Sequence, residues 1–276
     1  MDRRKKINCM LEVENLTCGY NSKFVLEDIS FKLNRKEILG IIGPNGCGKT
    51  TLLRAITKVL KPQKGRILLE GKDIQKVNFR ELAKKVAVVS GTYNIDINVK
   101  TEEIVLLGRI PHRHGLQFFE TQHDEDIAIK AMTLTDTIKF KERFIENLSA
   151  GERQLVFIAC AMAQEPSLLL LDEPTSHLDI AHQVQILDLI KRLNRDNGLS
   201  VILVLHDLNL ASEYCDRLIL LNSGKIFKIG IPQEVLTYGV IEAVYNTIVI
   251  VQENPFSKKP YILIVSEVER KKGDNR

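Results

Sequence analysis

Residues 43–51 read G-P-N-G-C-G-K-T-T, a complete GxxxxGK[ST] pattern, and nothing else in the chain constrains the fold as tightly. The run before it, residues 37–42 (E-I-L-G-I-I), has the aliphatic content of a buried strand. The run after it, residues 52–60, spaces its apolar side chains as a helix does. Strand, glycine loop and helix in that order make a phosphate cradle. Glycine leaves backbone N–H groups free to curl around phosphate oxygens, and the helix N-terminus adds partial positive charge. Lys49 is predicted to reach the β- and γ-phosphates, and the Thr50 hydroxyl to ligate Mg²⁺. Gly43, Pro44, Asn45, Gly46, Cys47, Gly48 and Thr51 complete the expected cradle. An α/β chain that binds a nucleoside triphosphate follows from this segment alone.

A chain of 276 residues can bury one large core or two small ones. Its 44% hydrophobic and 27% charged residues match a soluble globular protein. The formal charge is +4, but the cationic excess sits in residues 1–6 and 270–276, which leaves the body slightly acidic. No nucleic-acid face is therefore predicted, and the basic ends are expected to be solvated rather than to hold an anionic membrane surface. Cys9, Cys18, Cys47, Cys160 and Cys215 are odd in number and form no C-x-x-C pair, as free thiols in a reducing compartment would. Cys47 is expected to be a tolerated small residue of the loop, with thiol modification of the nucleotide-free loop as the other reading. No apolar stretch follows the N-terminal charges, so no secretory leader is predicted. The longest aliphatic run, residues 201–205, is far too short to span a bilayer.

Residues 11–33 alternate apolar and polar around G-Y-N-S at 19–22, which predicts antiparallel strands. Short strands are expected at 65–69 and 86–89, and a largely helical stretch at about 101–164. Ile127, Ala131, Leu134 and Ile138 there share one predicted helix face. Residues 168–171 and 201–205 read as interior parallel strands, with an amphipathic helix near 183–195 between them. Two short helices beyond Pro232 and a strand pair at 247–251 and 261–265 complete the prediction.

Residues 168–173 read L-L-L-L-D-E. Four aliphatics bury the strand, and the acids then emerge at its carboxyl end, where open α/β sheets place ligands. Asp172 is expected to hold Mg²⁺ through water and Glu173 to polarise an attacking water. Upstream, residues 148–154 read L-S-A-G-E-R-Q, where Ser149 can cap a helix with Glu152 in its first turn.

Phosphate loop, L-S-A-G-E segment and aliphatic strand with Asp-Glu, in that order, resemble the ATP-binding cassette (ABC) ATPases. The resemblance covers roughly residues 11–230. It implies a P-loop NTPase core with a mostly parallel sheet, an N-terminal antiparallel β subdomain and an inserted α-helical subdomain at about 92–164. Residues 231–276 would form a short C-terminal extension. By the same resemblance Tyr20 stacks on adenine, although alone it could be a turn residue. Ser176 to Asp179 form the D-loop, and His206 is the switch histidine that contacts the γ-phosphate. Ser149, Ala150, Gly151, Glu152 and Asp179 would contact the nucleotide held by a partner chain in a homodimer.

The segment L-G-R-I-P-H at 107–112 is similar to the ATPases of iron–siderophore, haem and cobalamin importers, as are L-D-I-A-H-Q at 178–183 and L-H-D-L-N at 205–209. Membership there implies ATP hydrolysis with Mg²⁺ at the cytoplasmic face of the membrane. The implied partners are an integral membrane permease pair and, indirectly, an extracytoplasmic binding protein. Arg109, Pro111 and His112 would couple to the permease, Pro111 through a rigid turn; solvated charges are the other reading of Arg109 and His112. The family's Q-loop glutamine falls at Gly91, where water, Thr92 or Asn94 would substitute, and a glutamine restored there is expected to be tolerated. Ala150 and Glu152 replace the usual Gly and Gln, with Glu152 expected to bring negative charge near the partner's γ-phosphate. A soluble non-transport ABC ATPase and a weakly hydrolytic regulatory subunit stay open as alternatives.

Overall fold

One central sheet separates two apolar cores, and the period-two alternation of its strands deals each residue to one core or the other. The computed structural model describes residues 8–20, 23–91, 98–113, 115 and 119–266. The two basic ends, Asn21 and Ser22, and Thr92 and Asn94 lie outside the described residues.

Strands β1 (Cys9–Tyr20) and β2 (Lys23–Asn34) pair antiparallel. Strand β3 (Ile38–Ile42) then runs into the glycine loop and helix α1 (Lys49–Ile56). Strands β4 (Lys64–Leu69) and β5 (Lys72–Asp73) join the first hairpin in a sheet ordered β2-β1-β4-β5. Helix α2 (Phe79–Ala83) leads to β6 (Val86–Ser90), and a helical region follows: α3 (Thr101–Leu106), a 3₁₀ segment over Leu107–His112, α4 (Gln122–Leu134) and α5 (Ala150–Ala163). Next come β7 (Leu168–Asp172), α6 (Ile180–Asn197), β8 (Ser200–Val204), α7 (Leu208–Tyr214) and the hairpin β9 (Arg217–Asn222) and β10 (Lys225–Gly230). Helices α8 (Pro232–Val235) and α9 (Tyr238–Tyr245) and the hairpin β11 (Val249–Glu253) and β12 (Pro260–Ile264) close the described chain.

The central sheet is ordered β10-β9-β3-β8-β7-β6, parallel throughout except for β10. On β7, Leu169 and Leu171 face the core shared with the helical region, while Leu168 and Leu170 face the core under α1 and the antiparallel sheet. Burial on both faces is why such strands carry no alternation, and each fully buried leucine stabilises by roughly 1.5–3 kcal/mol. The adjacency of β3, β8, β7 and β6 brings four functional loops to one carboxyl edge.

Two expectations are corrected. Helix α1 stops at Ile56 rather than near Leu60, because Lys58 takes a left-handed φ of 62° and ends it. In α4 the buried stripe is Asp124, Ala128, Ala131 and Met132. Ile138 lies beyond that helix and is 40% exposed, since Asp136 turns left-handed and the Thr135 and Thr137 hydroxyls donate to carbonyls of the last turn. Strand β9, which the motif order leaves unassigned, pairs with β3 in the middle of the sheet. Among the described residues no helix is long and apolar enough to cross a membrane.

Candidate active site

Gly48 caps α1 with a φ of 108°, a left-handed conformation that turns the loop sharply into the helix. A Cβ there would also lie 2.5 Å from the Leu26 side chain. Lys49 is buried in the bowl so formed, its Nζ donating to the carbonyls of Gly43 (2.9 Å) and Pro44 (3.2 Å). A cavity of about 290 Å³ opens over this bowl, lined by Tyr20, Asn45, Gly46, Lys49, Thr50 and Glu173 among others. Tyr20, the last residue of β1, keeps its ring 39% exposed at the rim while its hydroxyl accepts a bond from Arg54 at 3.0 Å. A half-exposed ring beside a phosphate cradle offers a face on which a base can stack.

Asp172 ends β7, and burial pushes its carboxyl pKa up despite a bond from the Thr50 hydroxyl. Its Oδ1 is buried without a hydrogen-bond partner. An orphaned carboxylate oxygen beside a hydroxyl is a hard, anionic donor pair that suits Mg²⁺, which takes its other ligands from phosphates and water. Among the described residues no group of three or more His, Cys, Asp or Glu side chains could hold a metal ion. Glu173 follows with a left-handed φ of 54°. Its Oε1 lies 2.5 Å from His206 Nε2, and its Oε2 accepts from the Ser176 hydroxyl at 3.4 Å. Thr50, Gly91, Asp172, Glu173 and His177 line a second cavity of about 180 Å³, which shares Thr50 and Glu173 with the first.

The signature segment lies apart, since Ser149 to Glu152 line neither cavity. Ser149 caps α5, its hydroxyl accepting from the Glu152 N–H at 3.2 Å and its own N–H donating to Glu152 Oε2 at 2.8 Å. The Ser149 backbone bond holds the Glu152 carboxyl below its usual range. Glu152 thus keeps its negative charge at the start of α5, where its carboxylate accepts from the Ser149 N–H. Gly151 packs on His182, where a Cβ would come within 2.2 Å of the ring, and His182 Nδ1 lies 2.8 Å from Asp179. Signature segment and D-loop thus meet within one chain.

Of the two readings of Cys47, burial favours the tolerated small residue, and the readings of Arg109, Pro111 and His112 change. Cys47 is buried against Gly43 and burial raises its thiol pKa, which disfavours the thiolate that modification needs. Arg109 is neither solvated nor placed for direct contact with a permease, because it is 2% exposed. It donates to Asp124 (3.1 Å), the Ala163 carbonyl (2.7 Å) and Glu165 (2.9 Å). His112 Nε2 pairs with the Gln164 carbonyl at 2.9 Å, and Pro111 sits inside the 3₁₀ segment instead of a turn outside any helix.

Sequence reasoning missed how the C-terminal elements grip the site. Asn209, three residues after His206, donates to the Ile262 carbonyl (3.2 Å) and accepts from its N–H (2.7 Å). The Ser212 hydroxyl donates to Pro260 at 2.7 Å, and Lys259 bonds the Glu213 and Cys215 carbonyls at the end of α7. Tyr245 of α9 sets its hydroxyl against the Gly43 N–H, and burial pushes its pKa up to about 12.

Residues 26–176 match the family model described as ABC transporter. The chain is 37% identical to the iron(3+)-hydroxamate import ATP-binding protein FhuC of Bacillus subtilis (strain 168), over 95% of this chain and 97% of that one. It is 36% identical to the ferric enterobactin transport ATP-binding protein FepC of Escherichia coli (strain K12), over 92% and 93%. A solved metal-chelate type ABC transporter in an inward-facing conformation superposes with a TM-score of 0.84 at 28% identity, covering 95% of this chain and 99% of that one. The cassette MJ0796, solved as a dimer bound to ADP and Pi, superposes with a TM-score of 0.70 at 27% identity, over 80% and 98%.

Proposed function

The chain belongs to the ABC transporter ATPase family, and from that premise we propose that it powers import of a metal chelate of the iron–siderophore class through a membrane permease. The observation that carries the reading is the single carboxyl edge on which the Lys49 loop, Asp172, Glu173 and His206 converge. Near-full-length similarity to iron-hydroxamate and enterobactin import ATPases supports the solute class.

Tyr20 stacks on the adenine and the loop N–H groups and Lys49 hold the phosphates. Mg²⁺, held by Thr50 and Asp172, would neutralise charge gathering on the β- and γ-oxygens. Glu173 accepts a hydrogen bond from a water aligned with the γ-phosphorus and draws off its proton as the oxygen attacks. His206 steadies that carboxylate and faces the γ-phosphoryl group under attack, whose leaving group is ADP. The products are ADP and inorganic phosphate. Ser149 and Gly151, remote from their own chain's cradle, serve the partner's nucleotide in a homodimer.

A cavity of about 450 Å³ between β6 and the helical region supports docking of a permease segment. Val88, Leu107, Gly108 and Phe157 line it, with Val88 44% and Leu107 50% exposed. Gly108 lets that wall close, since a Cβ there would meet the Cys160 carbonyl at 2.1 Å. The chain thereby associates peripherally with the membrane.

Glu173→Gln tests the chemistry and the assembly together. Turnover should fall by roughly 10²–10⁴-fold, the worth of a positioned base, while ATP binding persists. Light scattering should show a dimer with ATP and a monomer with ADP. Near-normal turnover removes Glu173 from its role, and an ATP-bound monomer removes the shared site. Loss of iron-hydroxamate and enterobactin uptake alike on deletion supports the solute class; unaffected uptake of every iron chelate overturns it.

A further inference from the structure

We propose that Gly91 is a positioning residue for Glu173: its missing side chain lets the end of β6 close on the Glu173 main chain and fix the carboxylate against His206. The inference rests on Glu173 acting as the base. It reverses the expectation that position 91 is a gap which a glutamine would refill.

The last paired residues of β6 and β7 are Ser90 and Asp172, and Gly91 carries the ladder one step further, donating its N–H to the Asp172 carbonyl at 2.8 Å. A Cβ on Gly91 would lie 2.1 Å from the Glu173 carbonyl oxygen, 3.0 Å from its carbonyl carbon and 3.3 Å from the Asp172 oxygen. All three are main-chain atoms at the end of a buried sheet, so none can swing aside as a side chain would. The φ of Gly91 lies outside the left-handed region, so contact alone excludes a side chain there.

The residue pressed by this contact is the one whose backbone most needs holding. Glu173 has a φ of 54°, a conformation that a non-glycine residue keeps only when its surroundings over-determine it. Its N–H donates to the Val204 carbonyl of β8 (3.2 Å), and its carbonyl accepts from the Ser176 N–H (3.1 Å). Gly91 lies against that same carbonyl. From this clamp the carboxylate reaches His206 at 2.5 Å. A Cβ at position 91 must part β6 from Glu173 by on the order of 1 Å to relieve the overlap, and a misplacement of that size can cost roughly 10²-fold in rate.

The test compares Gly91→Ala and Gly91→Gln in the wild-type and Glu173→Gln backgrounds, by steady-state and single-turnover ATP hydrolysis, ATP affinity and thermal melting. In the wild-type background kcat should fall by roughly 10–100-fold, with KM and ATP affinity unchanged and the chain still folded at the assay temperature. In Glu173→Gln neither substitution should lower the residual rate further, because the group each would displace is already gone. Wild-type kcat in either variant overturns the proposal. So does an equal fractional loss in both backgrounds, or a loss of ATP binding or folding, because each makes the effect general rather than routed through the base. Failure of the base assignment shows separately, as near-normal turnover of Glu173→Gln itself.

Discussion

Replacing Arg109 with alanine removes a guanidinium that is 2% exposed and ties together α4, the end of α5 and the 3₁₀ segment that carries it. Its partner Asp124 has a side chain only 8% exposed, so the substitution takes the guanidinium from a buried carboxylate, a change that costs about 3–5 kcal/mol. The Thr121 hydroxyl and N–H still serve Asp124 Oδ2, which places that part near the lower limit. The Ala163 carbonyl loses its 2.7 Å donor, adding about 1 kcal/mol. The Glu165 arm, on a side chain 49% exposed, adds little. The total is about 4 kcal/mol, or roughly 10 °C in melting temperature for a chain of this size. Circular dichroism melts of the isolated chain measure it directly. Arg109→Lys should fall between, since a point donor cannot span both Asp124 and the carbonyl. The pair Arg109→Met with Asp124→Leu should recover much of the loss, because the charge left on Glu165 is half exposed and solvated. A melting temperature for Arg109→Ala within about 2 °C of wild type would refute the reasoning, as would a double variant no more stable than the single one. Any loss of transport on mutating Arg109 is accordingly expected to come with a loss of stability.

Lys49→Ala should weaken ATP binding itself, since the loop carries no second ammonium; calorimetric titration showing unchanged affinity would count against the cradle. For Asp124, burial alone would raise the carboxyl pKa, but the bonds from Thr121 and Arg109 outweigh it and hold it well below the ordinary 3.8. A depressed folded-state pKa stabilises above the unfolded value, and that contribution is lost as the pH falls. Asp124→Asn should therefore cost stability at neutral pH and progressively less below 3.8, and a difference in acid-unfolding free energy that stays constant with pH would contradict this. Asn209→Ala removes both bonds to Ile262, each worth roughly 0.5–1.5 kcal/mol. Amides of β11 and β12 should then exchange faster while those of β7 and β8 do not, and an unaltered exchange pattern would mean that the C-terminal hairpin is held by other contacts.

The amino-acid sequence by itself determined the parts in which pattern and chemistry lie in consecutive residues. Residues 43–51 carry both the glycines that shape a phosphate cradle and the lysine that fills it. The run of four leucines before Asp172 and Glu173 states burial and delivers its acids to the sheet's carboxyl edge in one stroke. Strand alternation likewise made the antiparallel sheet and the C-terminal hairpin legible. What only the tertiary structure decided depends on pairs far apart in the chain: Gly91 against Glu173, Arg109 between Asp124 and Ala163, and Asn209 on Ile262. A glycine, an arginine or an asparagine has the same identity whether it faces water or a main-chain carbonyl. Spacing along the chain encodes which face of an element a residue occupies, but not which other element that face will meet. The sequence therefore placed Arg109 on the surface and left Gly91 open to substitution, whereas packing buries the first and leaves no room for a Cβ at the second unless the main chain shifts.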